Sequence, residues 1–209
     1  MAFRTILSYE QLKKKLMSVP NTRDRAFLCL TYASLGRVGE IVRHKFDKRT
    51  DMVGWTNPPV KKTDLQIKND LLVIQIQTEK TGRQRLVPVN RHFEAWLVQP
   101  ILALASTKEN FLFNFSTMWG EKVFEKYFGP ICRQKIHHLR VWRATHLLQG
   151  KTNPRGNPLN PNIVARMGGW TDLKSLTSIY DQSVIEDYEH LLLAEKKEVN
   201  ADILFGDGI

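Results

Sequence analysis

Residues 65–89 read LQIKNDLLVIQIQTEKTGRQRLVPV, and they decide the fold class. Leu65-Gln66-Ile67, a Lys68-Asn69-Asp70 turn and Leu71 to Gln77 alternate apolar and polar side chains as a hairpin does. A tight turn at Thr81-Gly82 leads to a third strand, Leu86 to Val89. The stretch predicts three small antiparallel strands, with Lys80 near the second hairpin's tip. Helical patterning lies on both sides. Ser8 is a good N-cap with Gln11 at the capping-box position, and Leu12 and Leu16 repeat at helical spacing. A second helix runs from about Thr22 through Phe27, Leu28 and Leu30 to a break at Gly36, and a short third carries Val38 to about His44. Residues 49–62 hold Gly54, Pro58 and Pro59 and predict a loop. After His92 the period is helical again, with Trp96, Ile101 and Leu104 on one face and Phe124, Tyr127 and Phe128 on another. Further helices span about His137–Gln149 and Asn162–Met167, separated by a loop at Gly150–Pro158. The class is therefore α+β, mostly helical, with a small three-stranded antiparallel sheet.

The 209 residues carry 31 Lys and Arg against 21 Asp and Glu, a net charge of +10, so the surface attracts polyanions. Nucleic acid is the leading partner on that ground alone. An anionic membrane is the competing explanation, but the basic residues run from Arg4 to Lys197 without gathering on one amphipathic helix. Cys29 and Cys132 are far apart and lack ligand-like spacing, so neither a disulfide framework nor a metal site is expected. No signal peptide and no apolar run of about 18 residues is present, which points to a soluble protein of the cytoplasm.

Cleaving a phosphodiester with a side chain requires an attacking oxygen, cations for the charge growing on phosphorus, and an acid for the departing oxygen. The chain offers candidates for each. Arg37 follows Gly36, and Glu40 lies three residues on, where a helical turn lets it orient the guanidinium. By itself this is more often a surface ion pair. Lys80 sits in a cation-dense turn, where a lysine is usually just solvated, yet its long arm can protonate an oxygen. His137 and Arg140 share a helix face, or simply begin a basic helix. Gly168-Gly169-Trp170-Thr171 precedes Tyr180, and an aromatic pair of this kind is more often core than site.

Taken in order, Arg37, Lys80, His137-x-x-Arg140, Trp170 and Tyr180 resemble the signature of the tyrosine recombinase, or phage integrase, family. Glu40 matches the acidic partner of the family's first arginine. Lys80-Thr81-Gly82-Arg83-Gln84-Arg85-Leu86-Val87-Pro88 is similar to its lysine turn and following Arg-x-Val-Pro strand. His137, not His138, matches the His-x-Leu-Arg box, and Gly169-Trp170 stands where most members have Gly-His. The resemblance implies a site-specific recombinase that cuts and rejoins DNA through a 3′-phosphotyrosine bond. In it Arg37, Arg140, His137 and Trp170 hold the phosphate, Lys80 protonates the leaving oxygen and Tyr180 attacks. Arg83, Arg85 and Arg143 would bind DNA. No cofactor and no metal is expected.

Tyr180 lies ten residues after Trp170 where the family usually has nine. That spacing, with Arg143-Ala144-Thr145-His146-Leu147, looks like integrases of archaea and their viruses and suggests viral genome integration. Tyr188, eighteen residues on, is too distant to compete. The resemblance also implies a monomer in free solution that forms a homotetramer on DNA, with Ile185–Leu193 as the segment docking into a neighbour. On this reading residues 1–209 are one catalytic domain with a tail from about 196, and the family's amino-terminal core-binding domain is absent. Two other readings share these residues. One is a type IB topoisomerase, which relaxes supercoils; the other is a non-catalytic DNA-binding regulator on the same scaffold.

Overall fold

A computed structural model describes residues 7–42, 59–78, 82–106, 110–131, 135–174 and 176. The predicted loop at 49–62 therefore falls within them only from Pro59, and His44, Lys80, Cys132, Tyr180, Tyr188, Ile185–Leu193 and the tail lie outside. Helix α1 (Tyr9–Met17) opens with the expected capping box, in which the Ser8 hydroxyl accepts from the Gln11 amide and the Gln11 side chain accepts from Ser8 N–H. Its apolar stripe, Leu12 and Leu16, is fully buried.

Helix α2 (Thr22–Ala33) is the centre of the domain. Ala26 to Ala33 are all buried, and α1, α3 (Val38–Ile41), α4 (Ala95–Ala105), α5 (Thr117–Phe128) and α6 (His137–Leu148) pack around it. A helix surrounded in this way can be apolar on every side, which is why α2 shows no clear stripe in sequence. On α5, Phe124 and Phe128 stack with ring centroids 4.8 Å apart and cover Trp142 of α6, while Tyr127 at the rim donates to Asp24. Trp96 and Leu104 of α4 pack on the core only in part, whereas Ile101 is buried.

The strands β1 (Leu65–Lys68), β2 (Leu71–Gln77) and β3 (Gln84–Asn90) form the expected antiparallel sheet in the order β1-β2-β3. Asn69 takes φ +52° in the first turn, a conformation asparagine tolerates better than most residues. Leu72, Ile74 and Ile76 face inward opposite Val89, Val87 and Arg85. Pro88 is accommodated because β3 is an edge strand. The ends of the second hairpin are clamped, since Thr78 N–H donates to Arg83 O at 2.8 Å.

Helix α6 is buried along almost its whole length, so its polar side chains need internal partners. Arg143 clasps Glu94 through Nη1 and Nη2, at 2.5 and 2.8 Å, and lies over the Tyr32 ring. Glu94 also accepts from the Tyr9 hydroxyl, which in turn accepts from Trp96 Nε1. His146 Nε2 lies 2.9 Å from Leu7 O, which can only accept; Nε2 therefore carries the proton, and Nδ1 accepts from Tyr32 O–H at 2.8 Å.

Burial, more than the nearby Arg143 charge, brings the His146 pKa down to about 4 from 6.5, although its bond to Leu7 O opposes the shift. A lowered histidine pKa stabilises the fold fully above 6.5 and is lost as pH falls through 4. Conformational stability should drop by about 3 kcal/mol across that window from His146 alone. Chemical unfolding at several pH values checks this, with His146→Gln as control; equal slopes in both chains would remove His146 as the cause.

Candidate active site

The turn between α2 and α3 builds the centre of the site. The expected helix break at Gly36 is displaced by one residue: Leu35, not Gly36, takes the left-handed conformation, with φ +53°. That costs a side-chain-bearing residue on the order of 1 kcal/mol. It turns the Leu35 carbonyl toward Arg140 Nη1, at 2.6 Å, and Arg85 Nη2, at 3.3 Å. Gly36 is needed for space, because a Cβ there would stand 2.7 Å from Ile41 Cδ1.

Glu40 is the hub. Its carboxylate is wholly buried and accepts from Arg37 N–H at 2.9 Å, Arg37 Nη1 at 3.0 Å and Arg85 Nη2 at 2.8 Å. Burial pushes its pKa up, but the Arg85 charge, the Arg37 backbone N–H and the Arg85 hydrogen bond prevail and hold it below the usual carboxylate value. The predicted Arg37–Glu40 pair is thus present, with Arg37 about one-third exposed at its outer end.

Arg140 is 1% exposed, and its Nη2 has no hydrogen-bond partner among the described residues. Burial, then repulsion from Arg37 and Arg85, brings its pKa down to about 9 despite the attraction of Glu40. Arg37, Arg85 and Arg140 thus crowd one carboxylate, which leaves two positive charges uncompensated among the described residues. An arrangement of this kind stabilises an anion more than it stabilises itself.

Trp170 covers this cluster. Helix α7 (Pro161–Gly168) ends in a Schellman motif: Gly169, at φ +71°, donates to Arg166 O and Trp170 N–H donates to Ala165 O at 3.0 Å. The closure throws the indole back over the Arg140 guanidinium, 4.0 Å from ring centroid to Cζ. Gly168 must lack a side chain, since a Cβ would fall 1.7 Å from the Trp170 ring. Both glycines of the motif therefore have a steric reason.

His137 is exposed at the start of α6, one helical turn before Arg140. Arg83 is exposed beside the second hairpin. The other two basic residues, Arg85 and Arg143, are 7% and 1% exposed and commit their guanidinium groups to buried acceptors. Arg85 had a sequence signal: it shares the inward parity of Val87 and Val89. Glu94 carried none, being a lone acid before α4. Among the described residues no group of three or more His, Cys, Asp or Glu is placed to hold a metal ion, and no helix is long and apolar enough to cross a membrane.

No family model and no curated protein matches this chain. Solved structures do. XerA recombinase aligns over 93% of the chain with a TM-score of 0.63 and 16% identity. The chain has the tyrosine recombinase fold. XerH site-specific recombinase, in a post-cleavage complex with palindromic difH substrate, gives 0.61 over 92% at 20% identity. A lambda integrase (75–356) dimer bound to a COC′ core site gives 0.59 over 88% at 14% identity. The chain spans 53 to 65% of the length of these recombinases. On this fold, Arg37 and Arg140 occupy the α2–α3 turn and the first turn of α6, and Trp170 the end of α7.

Proposed function

We propose that this chain is the catalytic domain of a site-specific recombinase or integrase, cutting and rejoining double-stranded DNA through a 3′-phosphotyrosine bond to Tyr180. One observation carries the reading: the guanidinium cluster around Glu40, with an unpartnered buried Arg140 nitrogen and two surplus positive charges. A phosphodiester brings one negative charge, and the five-coordinate transition state formed by attack on it brings two. The cluster therefore complements the transition state better than the ground state, which is the requirement for catalysis.

Arg37 and Arg140 bind the non-bridging oxygens, His137 stands beside them, and the Trp170 indole supplies a further donor while excluding water from Arg140. The Tyr180 phenol passes its proton to His137 as its oxygen bonds to phosphorus and the bond to the 5′-oxygen breaks. Lys80 gives a proton to the departing 5′-oxygen. The phosphotyrosine retains the bond energy, so a 5′-hydroxyl from another strand reverses the step without ATP. The guanidinium groups supply the positive charge, and no cofactor enters a step. Residues 1–209 act as one catalytic domain, entering a homotetramer on DNA through Ile185–Leu193, in the cytoplasm and on viral integration sites.

Incubation with nicked suicide duplexes bearing candidate attachment sites tests the reading. Wild type should give a denaturation-resistant protein–DNA band that Tyr180→Phe lacks while still binding DNA. Persistence of the band in Tyr180→Phe would reassign the nucleophile. Plasmid relaxation without recombinant products would support a topoisomerase instead.

A further inference from the structure

We propose that Arg85 is a positioning residue that sets the two phosphate-binding arginines and the Trp170 turn in one frame; the inference rests on the functional reading above. Its guanidinium reaches three separate pieces of the chain. Nη1 donates to Ser34 O at 2.7 Å and to Met167 O; Nη2 donates to Leu35 O at 3.3 Å and Glu40 Oε2 at 2.8 Å. Two of those acceptors are shared. Leu35 O also receives Arg140 Nη1, and Glu40 also receives Arg37 Nη1. Arg85 is thus one acceptor away from each of them.

The third tie runs to the end of α7. Met167 O lies three residues before Trp170, and the Arg85 stem packs so closely on Gly169 that a Cβ there would stand 3.2 Å from Arg85 Cδ. The indole that covers Arg140 is therefore fixed by the same side chain. Arg85 begins two residues after Arg83, which clamps the second hairpin through Thr78, so β3 joins that hairpin to the cluster. A lysine cannot replace this fork, because its donors radiate from one nitrogen and cannot span acceptors on opposite sides.

The effect of Arg85 belongs to phosphate binding and not to departure of the 5′-oxygen. A duplex with sulfur at the bridging 5′ position separates these, since a thiolate leaves without a proton. For Arg85→Lys we expect DNA affinity within about threefold of wild type and single-turnover adduct formation slower by about 100-fold on both the oxygen and the sulfur duplex. Wild-type speed in the variant overturns the proposal, and so does full recovery on the sulfur duplex. If Arg85→Lys does not fold, Arg85→Gln takes its place; a chain unfolded by both substitutions assigns Arg85 to stability alone and also overturns it. If wild type itself forms no adduct, the functional reading fails, and inorganic phosphate decides the role of Arg85. It should raise the thermal midpoint of wild type but not of Arg85→Lys, and an equal rise in both overturns the proposal.

Discussion

Arg140→Met should slow covalent adduct formation by about 10³-fold and leave the chain at least as stable as wild type. Loss of a single preorganised donor to a developing oxyanion typically costs about 10²–10³ in rate, and here a charge goes with the donor. The stability half follows from the lowered pKa of Arg140: folding forces a cation into a dry site beside two others, at a cost of a few kcal/mol. Methionine fills much of the same volume without that charge, and Leu35 O keeps its bond from Arg85 Nη2. DNA affinity should fall only slightly, because one phosphate contact is a small share of a polyelectrolyte interface. Single-turnover cleavage and thermal melting, run on the same preparation, check both halves. Cleavage within tenfold of wild type would take Arg140 out of the site.

Glu94→Gln should be the most damaging single change to stability, by about 3–5 kcal/mol. It strands a guanidinium that is 1% exposed and whose partner is now neutral. For a chain of this length the melting midpoint should fall by about 10 °C. The double variant Glu94→Met with Arg143→Met should recover most of the loss, since a buried pair is often replaceable by apolar residues even when neither partner can be removed alone. A loss under about 1 kcal/mol for Glu94→Gln would mean that water reaches Arg143.

Much of the fold was legible because it rests on short-range chemistry. The Ser8–Gln11 capping box and the three alternating strands each state their geometry within a few residues. The Arg37–Glu40 pair was legible for the same reason. What escaped were partners 45 or more residues apart: Arg85 with Glu40, Arg143 with Glu94, Arg140 with Leu35 O. Sequence shows an arginine as a surface cation by default, and only tertiary packing turns it inward. The parity of Arg85 with Val87 and Val89 was the available hint, outweighed by its basic neighbours in the hairpin. The break placed at Gly36 fell on Leu35 because a carbonyl shared by two arginines outweighed the local preference for glycine. Lys80 and Tyr180, assigned by resemblance, fall outside the described residues.

Three of the four acceptors that hold Arg85 are main-chain carbonyls, at Ser34, Leu35 and Met167. A carbonyl is the same whichever side chain accompanies it. These three bonds to Arg85 therefore survive side-chain changes at Ser34, Leu35 and Met167 that respect the burial of those positions. That tolerance is one physical route by which chains sharing fewer than a quarter of their residues keep a common architecture.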